Sequence, residues 1–461
     1  MAMIGPEITL FPFIQPTHPF HAHTERFQAL LDAEPSCAEQ MHRLLSGASP
    51  DRPSANSIHI HALIRGQLTA DRGWELEGFH TSLQVRDTSR RRPFRALTLH
   101  YAPDAGQIDC WEFPRDPYLP GLASVFGSGD QASTRPEGRA SASARSFRSG
   151  VADGRGPGTA GTDGTVAVDV FLPYVPRRRL TFRTRMAAGA PAIGKVVRPA
   201  EVAAIYDRLV TVFRAVKGAP TTFAVARPLG IDTTGGVFFQ ELRPGTELTY
   251  LLDKDNCRDL LRAVGRIHRD LHCLNVPDLP AWDFSKYLQR LVTYVEWISF
   301  LRPDQRPFLD DVRNLLFRQV PDLASVDYTF CHGDFSCHQL LTDGDCWSVV
   351  DFDGCVRGDP HFEIAKLIAS LKYNVPLFRD RFRDPAELET GLLEQACESY
   401  IQGYEEQAQH TVNRDRILWY RIAWEIHHLA RRLKRDQFHP VAFDRAIALI
   451  GDLSEQLRGE R

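Results

Sequence analysis

The most constraining feature of the sequence is the stretch 327–365, in which short apolar runs alternate with acidic and amide residues. Three of these runs, 328–331, 339–342 and 347–352, have the length and composition of strands. An Asp-Gly-Asp turn at 343–345 separates the last two. Polar residues follow the strand ends, so the pattern predicts that carboxylates and an amide gather at one edge of a small sheet.

The spacing of these polar residues suits phosphoryl transfer. Asp334 is followed five residues later by Gln339, and Asp351 lies about a dozen residues further along, at a strand end. In such chemistry one carboxylate orients the attacking hydroxyl, while a second carboxylate and an amide oxygen hold Mg²⁺ on the nucleotide phosphates. The pattern therefore predicts Asp334 as the catalytic residue, with Gln339 and Asp351 as metal ligands and Asp353 as a ligand of a second metal ion.

The same stretch resembles the aminoglycoside phosphotransferase and choline kinase family, relatives of the protein kinases. It carries the segments of that family in the family's order: His332-Gly333-Asp334, Asp351-Phe352-Asp353, Gly358-Asp359-Pro360 and Glu363-Ile364-Ala365. Gln339 stands where the family has Asn, and its amide oxygen can still reach Mg²⁺ if the loop recedes slightly. Glu363 replaces an Asp whose role we expect to be structural.

The resemblance implies a smaller, nucleotide-covering lobe, which we place at residues 166–244. Lys195 is its candidate phosphate-binding cation, and Glu201, in the first turn of a helix predicted at 200–216, is the candidate partner of Lys195. The resemblance also implies an interlobe hinge whose backbone binds adenine, at Gln240, Glu241 and Leu242. The alternatives are a solvated edge-strand lysine at 195, an acid at 201 that only favours the helix dipole, and an ordinary core strand at the hinge.

Composition divides the rest of the chain into further segments. Residues 1–126 combine helical and alternating patterns and predict a separate α+β module. Residues 127–165 are rich in Gly, Ser, Ala, Thr and Arg, which predicts a disordered linker or insertion. Residues 245–461 predict a helical lobe that contains the catalytic loop. The expected fold is α+β: a two-lobed protein-kinase-like fold with an additional N-terminal α+β module.

Composition also excludes several classes of protein. A hydrophobic content of 43% and a charged content of 25% are ordinary for a soluble globular chain. The net charge of −3 gives no reason to expect nucleic-acid or membrane binding. Residues 1–19 lack the features of a signal peptide, and no apolar run approaches the roughly 18 residues of a membrane span. Nine scattered cysteines favour reduced thiols, so we expect a cytoplasmic protein.

These observations predict an ATP-dependent phosphotransferase that uses Mg²⁺ and acts on a hydroxyl of a sugar, aminocyclitol or amino alcohol. Bacterial maltokinases are similar in carrying an amino-terminal cap, which favours a sugar. Basic residues near the C-terminus, Arg431, Arg432, Lys434 and Arg435, either form a solvated helix face or favour a neutral or anionic acceptor over a polycation. The alternative is a nucleotide-binding pseudokinase with a regulatory or interaction role, which Gln339 and the missing glycines of the nucleotide cover favour.

Overall fold

The computed structural model describes most of the chain from residue 56 onward. The described ranges are 56–69, 73–87, 95–102, 107–113, 115–126, 167–186, 189–323, 326–384, 391–406, 412–435 and 438–459, with the helical residues 25, 26 and 29. The predicted linker at 127–165 lies outside them. Contacts divide the described residues into two compact units. The first comprises the described parts of Met1–Ala203, Leu229–Leu242 and Arg432–Phe438, and the second those of Ala204–Pro228, Arg243–Arg431 and His439–Arg461.

Strands and helices are numbered here in chain order within the described residues. The strands are β1 (Asn56–Thr69), β2 (Gly73–Asp87), β3 (Arg95–Ala102), β4 (Gln107–Glu112), β5 (Ala167–Val175), β6 (Arg179–Arg185), β7 (Pro191–Val197), β8 (Phe223–Val225), β9 (Pro228–Asp232), β10 (Val237–Glu241), β11 (Thr246–Glu247), β12 (Thr329–Cys331), β13 (Leu340–Thr342), β14 (Trp347–Val349) and β15 (Val356–Gly358). The helices are α1 (Gly121–Phe126), α2 (Pro199–Lys217), α3 (Leu248–Leu251), α4 (Cys257–His272), α5 (Phe284–Leu301), α6 (Arg306–Arg318), α7 (Pro360–Asn374), α8 (Pro376–Arg383), α9 (Gly391–Glu405), α10 (Arg414–Lys434) and α11 (Pro440–Arg458).

The first unit contains two sheets. Strands β1 to β4 form an antiparallel meander in chain order, with a register shift between Arg65 and Gly66. The second sheet has the order β5-β6-β7-β10-β9. Buried and exposed residues alternate along β6, where Leu180, Phe182 and Thr184 face the core, as expected for a half-buried strand.

Helix α1 packs against this second sheet. Its apolar side chains, with Leu119 just before it, share a core with residues of four strands. That core consists of Leu119, Leu122, Val125, Tyr174, Leu180, Phe182, Val196, Val237 and Phe239. Each fully buried side chain of this size stabilises the fold by roughly 1.5–3 kcal/mol, so the short helix is an integral part of the unit.

A buried carboxylate fixes the turn between β5 and β6. Asp116 is 3% exposed and accepts hydrogen bonds from Tyr174 Oη (2.7 Å), the Arg177 amide (2.7 Å) and the Tyr118 amide (2.9 Å). Arg177 has a φ of 62°, a conformation that costs a non-glycine residue free energy. The bond from its amide to Asp116 helps to hold the turn in that conformation.

Helices α4 and α9 of the second unit approach each other closely because glycines lie at their contact. A Cβ atom on Gly265 would come within 2.1 Å of the Tyr400 carbonyl oxygen, and one on Gly403 within 1.9 Å of the Arg262 carbonyl oxygen. The backbones therefore touch. This spacing allows side chains four residues apart on one helix to contact side chains four residues apart on the other.

The strands of the predicted catalytic stretch form, but in two sheets instead of the single sheet that we expected. β12 pairs with β15, whereas β13 and β14 belong to a sheet of order β11-β13-β14-β8. The last strand also ends at Val349, earlier than predicted. Asp351 has a left-handed backbone (φ 71°, ψ 53°), and Phe352–Gly354 form a 3-10 turn, so an extended strand cannot continue through them.

Two further findings concern the whole described part of the chain. No helix within it is both long enough and apolar enough to cross a membrane. Seven cysteines within it, at positions 257, 273, 331, 337, 346, 355 and 397, are free thiols.

Candidate active site

The predicted catalytic residue lies on the loop that follows β12. The Asp334 side chain is 57% exposed, whereas His332 and Phe335 on either side of it are fully buried. The loop therefore presents one carboxylate outward from a well-anchored backbone.

The imidazole of His332 joins this loop to the segment that carries Asp351. Its Nε2–H donates to the Val350 carbonyl oxygen (2.9 Å), and its Nδ1 accepts from the Asp334 amide (3.3 Å). These partners assign a neutral imidazole with the proton on Nε2. His332 therefore sets the distance between the two loops and does not face the exposed side of the site.

Gly333 is required by the same close approach. It has a φ of 80°, and a Cβ atom there would lie 2.0 Å from the Gly354 carbonyl oxygen. Both the backbone conformation and the lack of space exclude any larger residue. The His-Gly-Asp and Asp-Phe-Asp-Gly segments therefore pack backbone against backbone.

Glu363, on α7, holds the backbone of the catalytic loop. Its Oε2 accepts from the His332 amide (2.9 Å) and its Oε1 from the Gly333 amide (2.6 Å). Oε2 also accepts from Nε2 of His268 and of His272, each at 3.2 Å. The replacement of the family's Asp by Glu363 therefore keeps a structural acceptor, as we expected.

The helix pair α4 and α9 supports this carboxylate. His268 Nδ1 accepts from Tyr400 Oη (2.5 Å), and His272 Nδ1 accepts from Tyr404 Oη (2.8 Å). Burial, together with the neighbouring His272, lowers the pKa of His268 to about 3 although Glu363 opposes the shift. Burial alone would raise the pKa of Glu363, but hydrogen bonds from the two histidines hold it well below its usual range. The cluster is an ionised carboxylate among neutral imidazoles.

Within the described residues, one group of three possible metal ligands converges. It consists of His268, His272 and Glu363. Each Nε2 already donates to the carboxylate and each Nδ1 already accepts from a tyrosine. Because every polar atom of the cluster has a partner, it needs no ion to be satisfied.

Asp359 fixes the start of α7. Its Oδ1 accepts from the His361 amide (2.9 Å) and its Oδ2 from Tyr420 Oη (3.0 Å). Burial would raise the pKa of Asp359, but these bonds and the His361 imidazole lower it. The capped helix then presents Glu363, in its first turn, to the loop.

Lys366 is a residue of the site that we did not predict. Its ammonium lies 2.5 Å from Asp334 Oδ1 and 2.9 Å from the Gly333 carbonyl oxygen. The available signal was its position three residues after Glu363, which places both side chains on the same face of a helix.

The predicted metal ligands lie on adjacent loops of the second unit. The Val350 amide donates to the Gln339 carbonyl oxygen (3.0 Å), so Gln339 lies next to the strand end that precedes Asp351. Asp351 and Asp353 are half-buried, and the backbone carbonyl of Asp353 accepts from the Arg208 guanidinium (2.5 Å). Two carboxylates and an amide fit Mg²⁺, which is usually held by one or two carboxylates together with substrate phosphates.

The predicted nucleotide-binding residues belong to the first unit. Lys195 is 4% exposed, and its ammonium lies 5.7 Å from the centre of the Phe238 ring. Glu201 forms an exposed ion pair with Arg198 (Nε to Oε2, 3.1 Å). Both assignments stay predictions.

The predicted hinge residues end the Leu229–Leu242 segment of the first unit. Gln240 and Glu241 pair with Ile193 and Ala192 of β7, and the Leu242 amide donates to the Pro191 carbonyl oxygen (3.3 Å). The chain passes into the second unit directly after Leu242. The predicted hinge thus coincides with a boundary between units, and its role in binding adenine stays a prediction.

Comparison with known proteins confirms the family. Residues 178–406 match the model of the phosphotransferase enzyme family. No curated protein matches the chain. The similarity to maltokinases stays a prediction.

Solved structures of low sequence identity resemble this chain. A candidate aminoglycoside phosphotransferase from Ralstonia eutropha is 17% identical, with a TM-score of 0.48, over 65% of this chain and 94% of that one. A thermostable mutant of the aminoglycoside phosphotransferase APH(4)-Ia, in its apo form, is 14% identical (TM-score 0.46; 63% and 95% covered). A choline/ethanolamine kinase family protein from Mesorhizobium loti is 15% identical (TM-score 0.41; 65% and 92% covered). The α+β class expected from the sequence is confirmed by the strands and helices of the described residues.

Proposed function

Because residues 178–406 belong to the phosphotransferase enzyme family, we propose that this protein transfers the γ-phosphoryl group of ATP to a hydroxyl of a small molecule. The observation that carries the proposal is the contrast at Asp334. Its carboxylate is 57% exposed, while the backbone beneath it is held by His332, Glu363 and Lys366. A fixed backbone and an accessible oxygen are what the orientation of an acceptor hydroxyl requires.

The reaction assigned to this site is an in-line displacement. The acceptor hydroxyl donates a hydrogen bond to Asp334 as its oxygen approaches the γ-phosphorus. The new oxygen–phosphorus bond forms, the bond from the γ-phosphorus to the bridging oxygen of ADP breaks, and the hydroxyl proton passes to Asp334. Since the transition state is loose, the residue contributes mainly by orienting the acceptor.

The remaining site residues would bind the nucleotide and its metal. Gln339, Asp351 and Asp353 would hold Mg²⁺, which supplies charge neutralisation on the phosphates when bound. Lys195 would contact the phosphates with Glu201 as its acidic partner. The backbone of Gln240, Glu241 and Leu242 would bind the adenine edge.

The acceptor that we propose is a neutral or anionic hydroxyl compound, with a sugar as the first choice. The charge of Asp334 is already offset by Lys366, which reduces the attraction for a polycation such as an aminoglycoside. The cytoplasmic location and the separate module at 1–126 remain proposals.

The test is ATP consumption with Mg²⁺ against a panel of sugars, aminocyclitols and amino alcohols. We expect one class to stimulate turnover and Asp334→Ala to abolish the stimulation. Asp345→Ala is the matched control, because Asp345 is an exposed aspartate in the turn between β13 and β14. If the protein bound ATP but transferred its γ-phosphoryl group neither to any acceptor nor to water, the result would favour the regulatory pseudokinase instead.

A further inference from the structure

The ammonium of Lys366 faces the proposed catalytic carboxylate from a shielded position. The Lys366 side chain is 9% exposed, against 57% for Asp334, and their charged atoms lie 2.5 Å apart. Within the described part of the chain, neither Lys366 nor Asp334 forms a second ion pair. The contact is thus a dedicated pair and not one link of a surface network.

Lys366 and Glu363 both bind the catalytic loop from one face of α7. Glu363 accepts from the amides of His332 and Gly333, whereas Lys366 donates to the Gly333 carbonyl oxygen and to Asp334. The Glu363 carboxylate thus binds backbone N–H groups of the loop, and the Lys366 ammonium binds its carbonyl and carboxylate oxygens. Lys366 therefore fixes both the carbonyl group of the Gly333–Asp334 peptide and the side-chain carboxylate of Asp334.

The ammonium itself is held in place on its other side. It lies 5.5 Å from the centre of the Trp424 ring, and the indole N–H donates to the Phe362 carbonyl oxygen (3.2 Å). Shielding an ammonium costs free energy that an apolar residue at 366 would not cost. The charge is explained by its effect on Asp334.

We infer that Lys366 is a positioning residue for phosphoryl transfer, an inference that rests on the proposed function of Asp334. Its hydrogen bond holds Oδ1 of Asp334, which leaves Oδ2 to accept the hydroxyl of the acceptor. As the acceptor oxygen bonds to the γ-phosphorus and the bond to the ADP oxygen breaks, the hydroxyl proton goes to Oδ2. Lys366 keeps this oxygen aligned with the reacting groups.

The first test removes the charge and keeps the length of the side chain. We expect Lys366→Met to lower kcat by about 100-fold, the loss typical of a misplaced reacting group, while KM for Mg-ATP changes by less than about threefold. Lys366→Arg should recover part of the loss. Lys254→Met, at an exposed lysine of the same unit, is the matched control and should leave kcat unchanged. Acceptor-dependent transfer, or slow ATP hydrolysis where water is the acceptor, supplies the rate.

The second test is chemical rescue. Added ethylammonium should restore turnover of Lys366→Ala in a saturable way and should not restore Asp334→Ala. If Lys366 had only a structural role, Lys366→Ala would instead lower the melting temperature, leave kcat per folded molecule unchanged and show no rescue.

The outcomes separate the two proposals. If the wild-type protein transfers phosphate and folded Lys366→Met matches its kcat, the inference about Lys366 is wrong and the proposed function stands. If Lys366→Met does not fold, Lys366→Ala and its amine rescue decide: a folded Lys366→Ala with wild-type kcat, or one that ethylammonium does not restore, overturns the inference. If the wild-type protein binds ATP but transfers to no acceptor or water, the proposed function fails and the role of Lys366 fails with it.

Discussion

Lowering the pH from 7.5 to 5 should destabilise the protein through the buried His268. Burial and the neighbouring His272 lower the pKa of this imidazole from 6.5 to about 3, against the opposing effect of Glu363. The unfolded chain therefore takes up a proton as the pH falls through 6.5, and the folded protein does not. The contribution to stability is fully present above pH 6.5 and is lost between pH 6.5 and pH 3.

The size of the effect follows from these two pKa values. At pH 5 the unfolded imidazole is almost fully protonated and the folded one is neutral, which costs the folded state about 2 kcal/mol relative to pH 7.5. Burial also lowers the pKa of His272, so this residue adds to the loss in the same direction. The pKa of Glu363 is lowered as well, but its contribution is lost only below about pH 4.5, outside the chosen range.

The assay is urea unfolding at pH 7.5, 6.5 and 5.0 of the wild-type protein and of His268→Gln. The glutamine amide retains a donor toward Glu363 and does not titrate, so the difference between the two proteins isolates His268. We expect the wild-type free energy of unfolding to fall by about 2 kcal/mol more than that of the variant. A wild-type protein that gains stability relative to the variant at pH 5 would show an imidazolium paired with Glu363, and the reasoning would be refuted.

Three further substitutions test the packing around the site. Gly333→Ala should cost about 1–3 kcal/mol of stability and most of the turnover, measured by thermal unfolding and by kcat, because its φ is 80° and a Cβ would lie 2.0 Å from a carbonyl oxygen; unchanged kcat would contradict this. Lys372→Met leaves the carboxylate of Glu425 buried at 0% exposure without its cation and should cost about 3–5 kcal/mol, measured by urea unfolding, whereas adding Glu425→Leu should recover most of that. Gly403→Ala should force α4 and α9 apart and cost about 1–3 kcal/mol. The control Gly391→Ala, where a Cβ has nothing within 4 Å, should cost much less, and equal losses in calorimetry would argue against backbone contact.

The catalytic loop could be predicted from the sequence because its residues act through spacing along the chain. The strands before Asp334 and before Asp351 formed near their predicted positions, and the family and the fold class are confirmed. The end of β14 was predicted too late, since an apolar run does not reveal the left-handed backbone at Asp351. The division of these strands between two sheets was also missed, because apolar composition does not specify pairing partners.

The contributions of His268, His272 and Lys366 to fixing the loop could not be predicted, since their contacts join separate elements of the chain. His268 is fully buried on α4. Its contact with Glu363 joins residues 95 positions apart. Lys366 belongs to no motif that we recognised in the sequence. Its contact with Asp334 depends on the position of α7, which places the ammonium against that carboxylate.

The core shared by α1 and the second sheet has a practical consequence for shortened versions of this protein. A recombinant protein cut to the family-matched residues 178–406 would lack Leu119, Leu122 and Val125 together with the whole of β5. Phe182, Val196 and Phe239 would then face solvent as one apolar patch, and such patches promote aggregation. Expression trials should therefore keep residues 115–126 with the sheet that they cover.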